Sequence, residues 1–273
     1  MPSQPELYER FKALHDSLFV MPNAWDGLSA LILREAGFEA LGTSSAAVAA
    51  ALGRADGAHA VSREEHIVNA RLLTETTGLP VNGDFEDGYG ATSEDVAETV
   101  EAAIAAGMAG IGIEDTSGDP AHPIRDFDDA VIRIRDAAAV ARGRILLTGR
   151  CDNFIKGRHD LDDTIRRLTA FAEVGADVLY APYPPDMDAV RAIVRAVAPK
   201  PVNLLVSPAS GVVPLAELAA AGVRRVSLGS GLYQRSMGAL REAARDLAAG
   251  NLAGGGPSLT FAEVSGLIKG AYT

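Results

Sequence analysis

A chain of 273 residues, 48% of them hydrophobic, can bury a sizeable core, and its 25 Lys+Arg against 36 Asp+Glu leave a net charge of −11 at neutral pH. That acidity disfavours nucleic acid and anionic membrane as partners, since both select basic patches. A single cysteine excludes a disulfide framework and a cysteine-rich zinc site, and no stretch approaches the ~18 apolar residues of a spanning helix. The opening residues, MPSQPELYERF, lack the basic-then-apolar pattern of a signal peptide, so a soluble, cytoplasmic protein is expected.

Short apolar, β-branched runs predict eight strands, at residues 18–21, 40–43, 80–83, 110–113, 145–148, 178–181, 202–206 and 225–228. Helical spacing lies between them, at 28–36, 63–76, 93–106, 128–141, 160–174, 187–197 and 214–221, with an eighth helix at 232–248. Gly37, Gly107, Gly175 and Gly222 each stand where a helix C-terminus takes a left-handed residue before the next strand. Strands flanked by helices on both faces pair in parallel. Eight such units in roughly 230 residues fit a closed (β/α)8 TIM barrel. A doubly wound sheet would end its first strand in a glycine-rich turn, whereas this one ends in Met21-Pro22-Asn23-Ala24-Trp25. Residues 1–250 are expected to form the catalytic barrel. Residues 251–273 read as a Gly/Pro joint and a tail helix at 261–268, which either packs on a neighbouring subunit or frays.

Chemistry in such a barrel sits at the C-terminal ends of the strands. Asp56 follows strand two, Asp84, Glu86 and Asp87 follow strand three, Glu114-Asp115 end strand four, Arg150-Cys151-Asp152 end strand five, and Asn203 lies on strand seven. So many carboxylates in a dry pocket need a compensating cation. Oxygen donors without paired His or Cys select a hard divalent ion, Mg2+ before others. Asp84 and Glu86, two apart in a strand, are expected to point to one side and serve one ion. The competing reading is that each acid caps a helix N-terminus.

Ser44-Ser45-Ala46 opens a helix whose N–H groups can hold an anion, or forms only a tight turn. Arg150, ending a buried strand, must find an anion in the substrate or among the protein's acids. Trp25 reads first as packing and second as a substrate contact. Gly229-Ser230-Gly231 is an anion loop or a turn, and Cys151 a small buried side chain. His15, His59, His66, His122 and His159 show neither metal-ligand nor triad spacing, and no G-x-S-x-G elbow is present.

The segments Asn23-Ala24-Trp25-Asp26, Gly42-Thr43-Ser44-Ser45, Gly53-Arg54-Ala55-Asp56-Gly57, Asp84-Phe85-Glu86-Asp87-Gly88-Tyr89-Gly90, Gly112-Ile113-Glu114-Asp115 and Gly149-Arg150 together resemble the isocitrate lyase/phosphoenolpyruvate mutase superfamily, in order from about residue 10 to 240. The resemblance implies a barrel whose last helix is exchanged between subunits of a homotetramer or dimer. It also implies Mg2+ and a 2-oxo acid or its enolate. Ser44, with the N–H groups of Ser45 and Ala46, would then hold the substrate's carboxylate or oxo oxygens. Asp56, Asp84, Glu86 and Glu114 would hold Mg2+, partly through water, and Arg150 would stabilise the enolate oxygen. Glu86 stands where many relatives have aspartate. Ser44, Glu114 and Arg150 are thus the catalytic candidates, and Ser44, Ser45, Ala46, Arg150, Asn203 and Trp25 the substrate-binding ones.

Two family features are missing. The Lys-Lys-Cys-Gly-His or Lys-Arg-Cys-Gly-His loop of the isocitrate and methylisocitrate lyases is absent, and so is the Lys/Asn loop of the phosphonate enzymes; residues 116–123 stand in their place. The expected activity is a Mg2+-dependent C–C lyase or decarboxylase acting on a small 2-oxo or 2-hydroxy dicarboxylic acid, oxaloacetate- or methylisocitrate-like. Loss of CO2 needs no leaving-group base, which suits a site without the cysteine loop. P–C cleavage by a phosphonomutase or phosphonopyruvate hydrolase, and 2-oxo acid binding with little turnover, are the alternatives.

Overall fold

The computed structural model describes residues 1–57, 59–207, 210, 213–252, 256 and 258–270. Helix α1 (Gln4–Leu14) precedes strand β1 (Phe19–Met21). There follow α2 (Gly27–Glu35), β2 (Leu41–Gly42), α3 (Ser45–Ala51), α4 (Arg63–Thr77), β3 (Val81–Asp84), α5 (Ser93–Ala105), β4 (Gly110–Glu114) and α6 (Phe127–Ala141). The second half holds β5 (Leu146–Arg150), α7 (Leu161–Val174), β6 (Val178–Tyr180), α8 (Met187–Val197), β7 (Val202–Leu205), α9 (Leu215–Ala220), β8 (Arg225–Ser227), α10 (Gly231–Ala248) and α11 (Phe261–Lys269).

All eight predicted strands are present and pair in parallel, in the order β1-β8-β7-β6-β5-β4-β3-β2. The ring closes between β1 and β2 through a parallel bridge from Asn23 to Gly42, where the Gly42 N–H donates to the Pro22 carbonyl and the Ala24 N–H to the Gly42 carbonyl, both at 2.9 Å. Every strand is covered by helices, so the strand runs are apolar rather than alternating. The result is a (β/α)8 barrel with its C-terminal strand ends on one rim.

Helix α1, which has no place in the predicted alternation, closes the opposite end. Its Leu7, Tyr8 and Phe11 pack with Met21, Ala40, Ala109 and Leu146. Phe11 enters so far that a Cβ added to Gly110 would lie 2.6 Å from its ring, which explains a glycine at the first position of β4. His15, one turn on, gives its ring Nδ1 to the Phe11 carbonyl at 2.8 Å and stacks edge-on against Phe11 and Phe19. Burial, with Arg225 nearby, lowers its pKa to about 3. The folded state therefore holds His15 neutral while the unfolded state protonates it near pH 6.5. Stability from this group is full above that value and declines as pH falls from about 6.5 toward 3, by about 1.4 kcal/mol per pH unit. Urea titrations between pH 7 and 4 should show this slope in the native protein and its loss in His15→Gln; equal slopes would contradict it.

Helix α10 buries none of its residues and leaves Met237, Leu240 and Leu247 exposed, whereas α11 packs against α2. The Gly/Pro joint expected before α11 lies partly outside the described residues, as do residues 271–273. Among the described residues no helix is long and apolar enough to cross a membrane.

Candidate active site

At the rim, β2 runs through Thr43 into Ser44, the N-cap of α3, whose hydroxyl accepts the Ala47 N–H at 3.3 Å. The Ser45 N–H donates to Asp84 Oδ2 at 2.9 Å, and the Asp84 N–H donates to Thr43 Oγ1 at 2.8 Å. The helix start that the sequence marks for an anion thus already holds a carboxylate, the last residue of β3.

Opposite stands Arg150, the last residue of β5, which pairs in register with Glu114 at the end of β4. Its Nε and Nη2 donate to the two oxygens of Asp152 at 2.6 and 2.9 Å. Its Nη1 lies 3.0 Å from Glu114 Oε2 and 3.4 Å from Asp84 Oδ1, and the guanidinium rests over the Tyr180 ring. The sequence left open whether Arg150 meets protein acids or substrate. The structure pairs it with three acids and also sets it in a cavity wall. Burial alone would weaken its hold on a proton, but Asp152 and Glu114 raise its pKa well above the usual value. Glu114 goes the other way: burial raises it well above the usual carboxylate range, Arg150 opposes this, and Asp152 and Asp84 reinforce it. The Thr116 hydroxyl donates to Glu114 at 2.8 Å.

A buried ion network fixes this arrangement from behind. The Asp152 N–H donates to Asp115 Oδ1 at 2.8 Å, and Arg167 of α7 bridges Asp115 (3.2 Å) and Asp163 (2.8 Å). Cys151 is buried beside Asp115, its thiol pushed well up by burial, which matches a packing role.

The rim encloses a first cavity of about 140 Å3 lined by Ser44, Ser45, Ala46, Asp56, Asp84 and Arg150, with Asn203, Gly229 and Ser230 on the far wall. A second, of about 290 Å3, adjoins it at Asp56 and is lined by His59, Glu86, Asp87, Glu114 and Lys156. Asp84 lines the first cavity, Glu86 and Glu114 the second and Asp56 both, while Arg150 Nη1 reaches Asp84 and Glu114 together. The expectation that strand alternation puts Asp84 and Glu86 on one side fails for a simple reason. β3 stops at Asp84, and Glu86 has φ +46, where a two-residue period no longer applies. Glu86 instead accepts the His59 N–H at 3.2 Å and lies 4.0 Å from the His66 ring. Trp25 packs edge-on against Tyr233 at the root of α10 and is not among the residues that line the first cavity.

Asp152, placed on the rim by the sequence without a role, clamps Arg150, and two further contributors escape the sequence reading. Arg225 lies on the cavity floor, 1% exposed, its side chain donating to Asn203 (2.9 Å) and Thr148 (3.0 Å) among the described residues. His59 bonds Asp87 across 28 positions of sequence, which no local pattern reveals.

Residues 11–248 match the family model described as phosphoenolpyruvate phosphomutase. A solved structure from Burkholderia cenocepacia J2315, assigned only provisionally as a lyase/mutase, is 40% identical with a TM-score of 0.91, covering 96% of this chain and 95% of that one. An uncharacterized protein of Mycobacterium tuberculosis is 34% identical over 85% of each chain. Oxaloacetate decarboxylase of Paraburkholderia xenovorans is 30% identical over 85% of this chain and 78% of its own.

Proposed function

The chain belongs to the phosphoenolpyruvate phosphomutase family, and from that membership we propose that it is a Mg2+-dependent carbon–carbon lyase that decarboxylates a small 2-oxo dicarboxylic acid of the oxaloacetate type. The observation that carries this reading is Arg150, fixed by Asp152, Glu114 and Asp84 in the wall of a cavity of about 140 Å3, a volume suited to an acid of a few carbons.

Among the described residues no three His, Cys, Asp or Glu side chains converge as a ready-made cage. The all-oxygen donor set of Asp56, Asp84, Glu86 and Glu114 fits Mg2+, which keeps several waters and takes one or two carboxylates directly. Asp84 would hold it, with Asp56, Glu86 and Glu114 reached partly through water. When bound, the ion supplies a Lewis acid that withdraws charge from the substrate's carboxylate and 2-oxo group. Ser44, Ser45 and Ala46 line the same cavity and orient the acid. Arg150 carries a fixed positive charge toward the oxygen on which negative charge develops as carbon dioxide leaves, and its clamp spares the site any reorganisation at that moment. Residues 116–124 form a short hairpin, bridged between Thr116 and Ile124, with neither cysteine nor lysine. That absence supports a leaving group needing no base. Cleavage of a P–C bond is the second reading, favoured by the family match itself.

Calorimetry tests the site directly. Oxalate, which presents the 2-oxo acid end alone, should bind with Mg2+ and not without it, and Glu114→Gln should weaken that binding at least tenfold. Equal binding with and without Mg2+, unaffected by Glu114→Gln, would contradict the proposal.

The uncovered apolar residues of α10 support the exchange of this helix between subunits of a cytoplasmic homotetramer or dimer. Residues 251–273 are a separable joint and tail in the same proposal. Leu240→Asp with Leu247→Asp should lower the mass seen by light scattering, and an unchanged oligomeric mass would count against exchange.

A further inference from the structure

Arg225 stands on the floor of the first cavity with no acid beside it. It enters from β8, where it pairs in register with Asn203 of β7. Its Nε donates to Asn203 Oδ1 and its Nη2 to Thr148 Oγ1, while Nη1 has no partner among the described residues. Arg150, nearer the rim of the same cavity, is met by three carboxylates; Arg225 is met by none among the described residues. Burial lowers its pKa to about 9, opposed by Tyr180, which leaves the guanidinium a cation at neutral pH. A charge buried without a counter-ion is costly, and an unpaired buried donor marks a missing partner.

Two further features suit that place to an anion. Gly229 and Ser230 line the wall above Arg225, and Ser230 is the N-cap of α10, an 18-residue helix to which its side chain gives no capping bond. The positive end of that helix adds to the field of Arg225 in the same cavity. The position is also rigid and at a useful depth. The guanidinium lies 6.0 Å from the centre of the Phe11 ring, so the plug helix α1 supports it from below. Thr148, its partner, precedes Arg150 by two residues on β5, so its row lies about 7 Å below that of Arg150. A four-carbon diacid with a hydrogen bond at each end spans that depth.

We propose that Arg225 is the counter-ion of the substrate's second carboxylate, and that it selects dicarboxylic acids at this site. The assignment rests on the 2-oxo acid reading of the first cavity and supplies what that reading leaves open, the partner of the distal group. The 2-oxo acid end stays at the rim with Ser45, Asp84 and Arg150, and the second carboxylate descends to Arg225. An acid ending in a methyl group would leave Arg225 buried and unpaired, which is how a polar site rejects an analogue lacking its partner. Because carbon dioxide leaves uncharged, this ion pair weakens as the C–C bond breaks. Arg225 therefore contributes to capture of the substrate rather than to the chemical step.

Malate and 2-hydroxybutyrate test this, being matched in length and different only at the far end, carboxylate against methyl. In calorimetry with Mg2+, the native protein should bind malate about 30-fold or more tighter than 2-hydroxybutyrate, in the range of a charge-assisted hydrogen bond. In Arg225→Met that preference should fall below threefold through loss of malate affinity, with oxalate, which lacks the far carboxylate, still bound. Steady-state rates on oxaloacetate should show the loss chiefly in KM. Without ligand, Arg225→Met should melt no lower than the native protein, because an uncompensated buried charge has been removed. Arg225→Lys keeps the charge and should keep part of the preference, which preserves the test should the Met variant not fold. A native preference below threefold, a preference unchanged in Arg225→Met, or a loss confined to kcat would overturn the assignment while leaving the lyase reading intact. Loss of oxalate and malate alike, with a lower melting temperature, would assign Arg225 to structure and overturn it too. A native protein that binds neither oxalate nor malate would overturn the 2-oxo acid reading as well.

Discussion

Arg150→Ala should lower turnover of a 2-oxo dicarboxylate by about 10²–10³-fold, the usual cost of removing one preorganised group that meets developing negative charge. The same change leaves Asp152, Glu114 and Asp84 crowded together without their common cation. Breaking a buried pair from one side typically costs about 3–5 kcal/mol, so melting should also fall sharply. Arg150→Lys separates the two effects. It keeps the charge but cannot donate to both Asp152 oxygens while reaching Glu114. Its stability should be largely restored and its turnover only partly. Turnover of Arg150→Ala within threefold of the native rate would contradict the role given to this residue.

Arg167→Met should produce the largest loss of stability outside the cavity. Arg167 is 3% exposed, and its removal strips the cation from Asp115, which is almost fully buried, while Asp163 keeps Arg158 and Arg166. Burial already lifts the Asp115 pKa to about 6, against the pull of Arg167 and of the Asp152 N–H. Removing Arg167 leaves the buried Asp115 carboxylate without its cation, and chemical denaturation should report a deficit of about 3–5 kcal/mol. Because the Asp152 N–H leans on Asp115, turnover should fall as well, although no atom of Arg167 lines the first cavity. A stability change below about 1 kcal/mol, within the range of ordinary surface substitutions, would show that the network does not hold the β5 end in place.

The barrel was legible because each strand is a short apolar run between helices, a pattern that needs no long-range information. Helix α1 was not, since only Leu7, Tyr8 and Phe11 of its residues are buried and its role as a plug depends on Ala109 and Leu146, far along the chain. The rim acids and Arg150 were legible because chemistry in such a fold is confined to strand ends. What the sequence could not show is where Glu86 turns. The face of Glu86 is set by a left-handed backbone that strand periodicity does not describe. The histidines looked unremarkable in spacing because the partner of His59 is Asp87, 28 residues away, brought to it by the return of the chain through α4 and β3. Arg225 lay inside a predicted strand, yet nothing local marked it as the cavity floor.

A proton and phosphorus NMR time course tests Mg2+-dependent carbon–carbon cleavage at the Arg150 rim. Oxaloacetate, 2-methylisocitrate, isocitrate and phosphonopyruvate would each be incubated with Mg2+, with the native protein, with Arg150→Ala, and without protein to subtract spontaneous decarboxylation. Pyruvate formed from oxaloacetate above the protein-free rate, abolished in Arg150→Ala and on chelation of the metal, is the result expected. Consumption of phosphonopyruvate alone would contradict the claim and move the chemistry to the P–C bond, and oxaloacetate decaying at the protein-free rate would remove the decarboxylase reading.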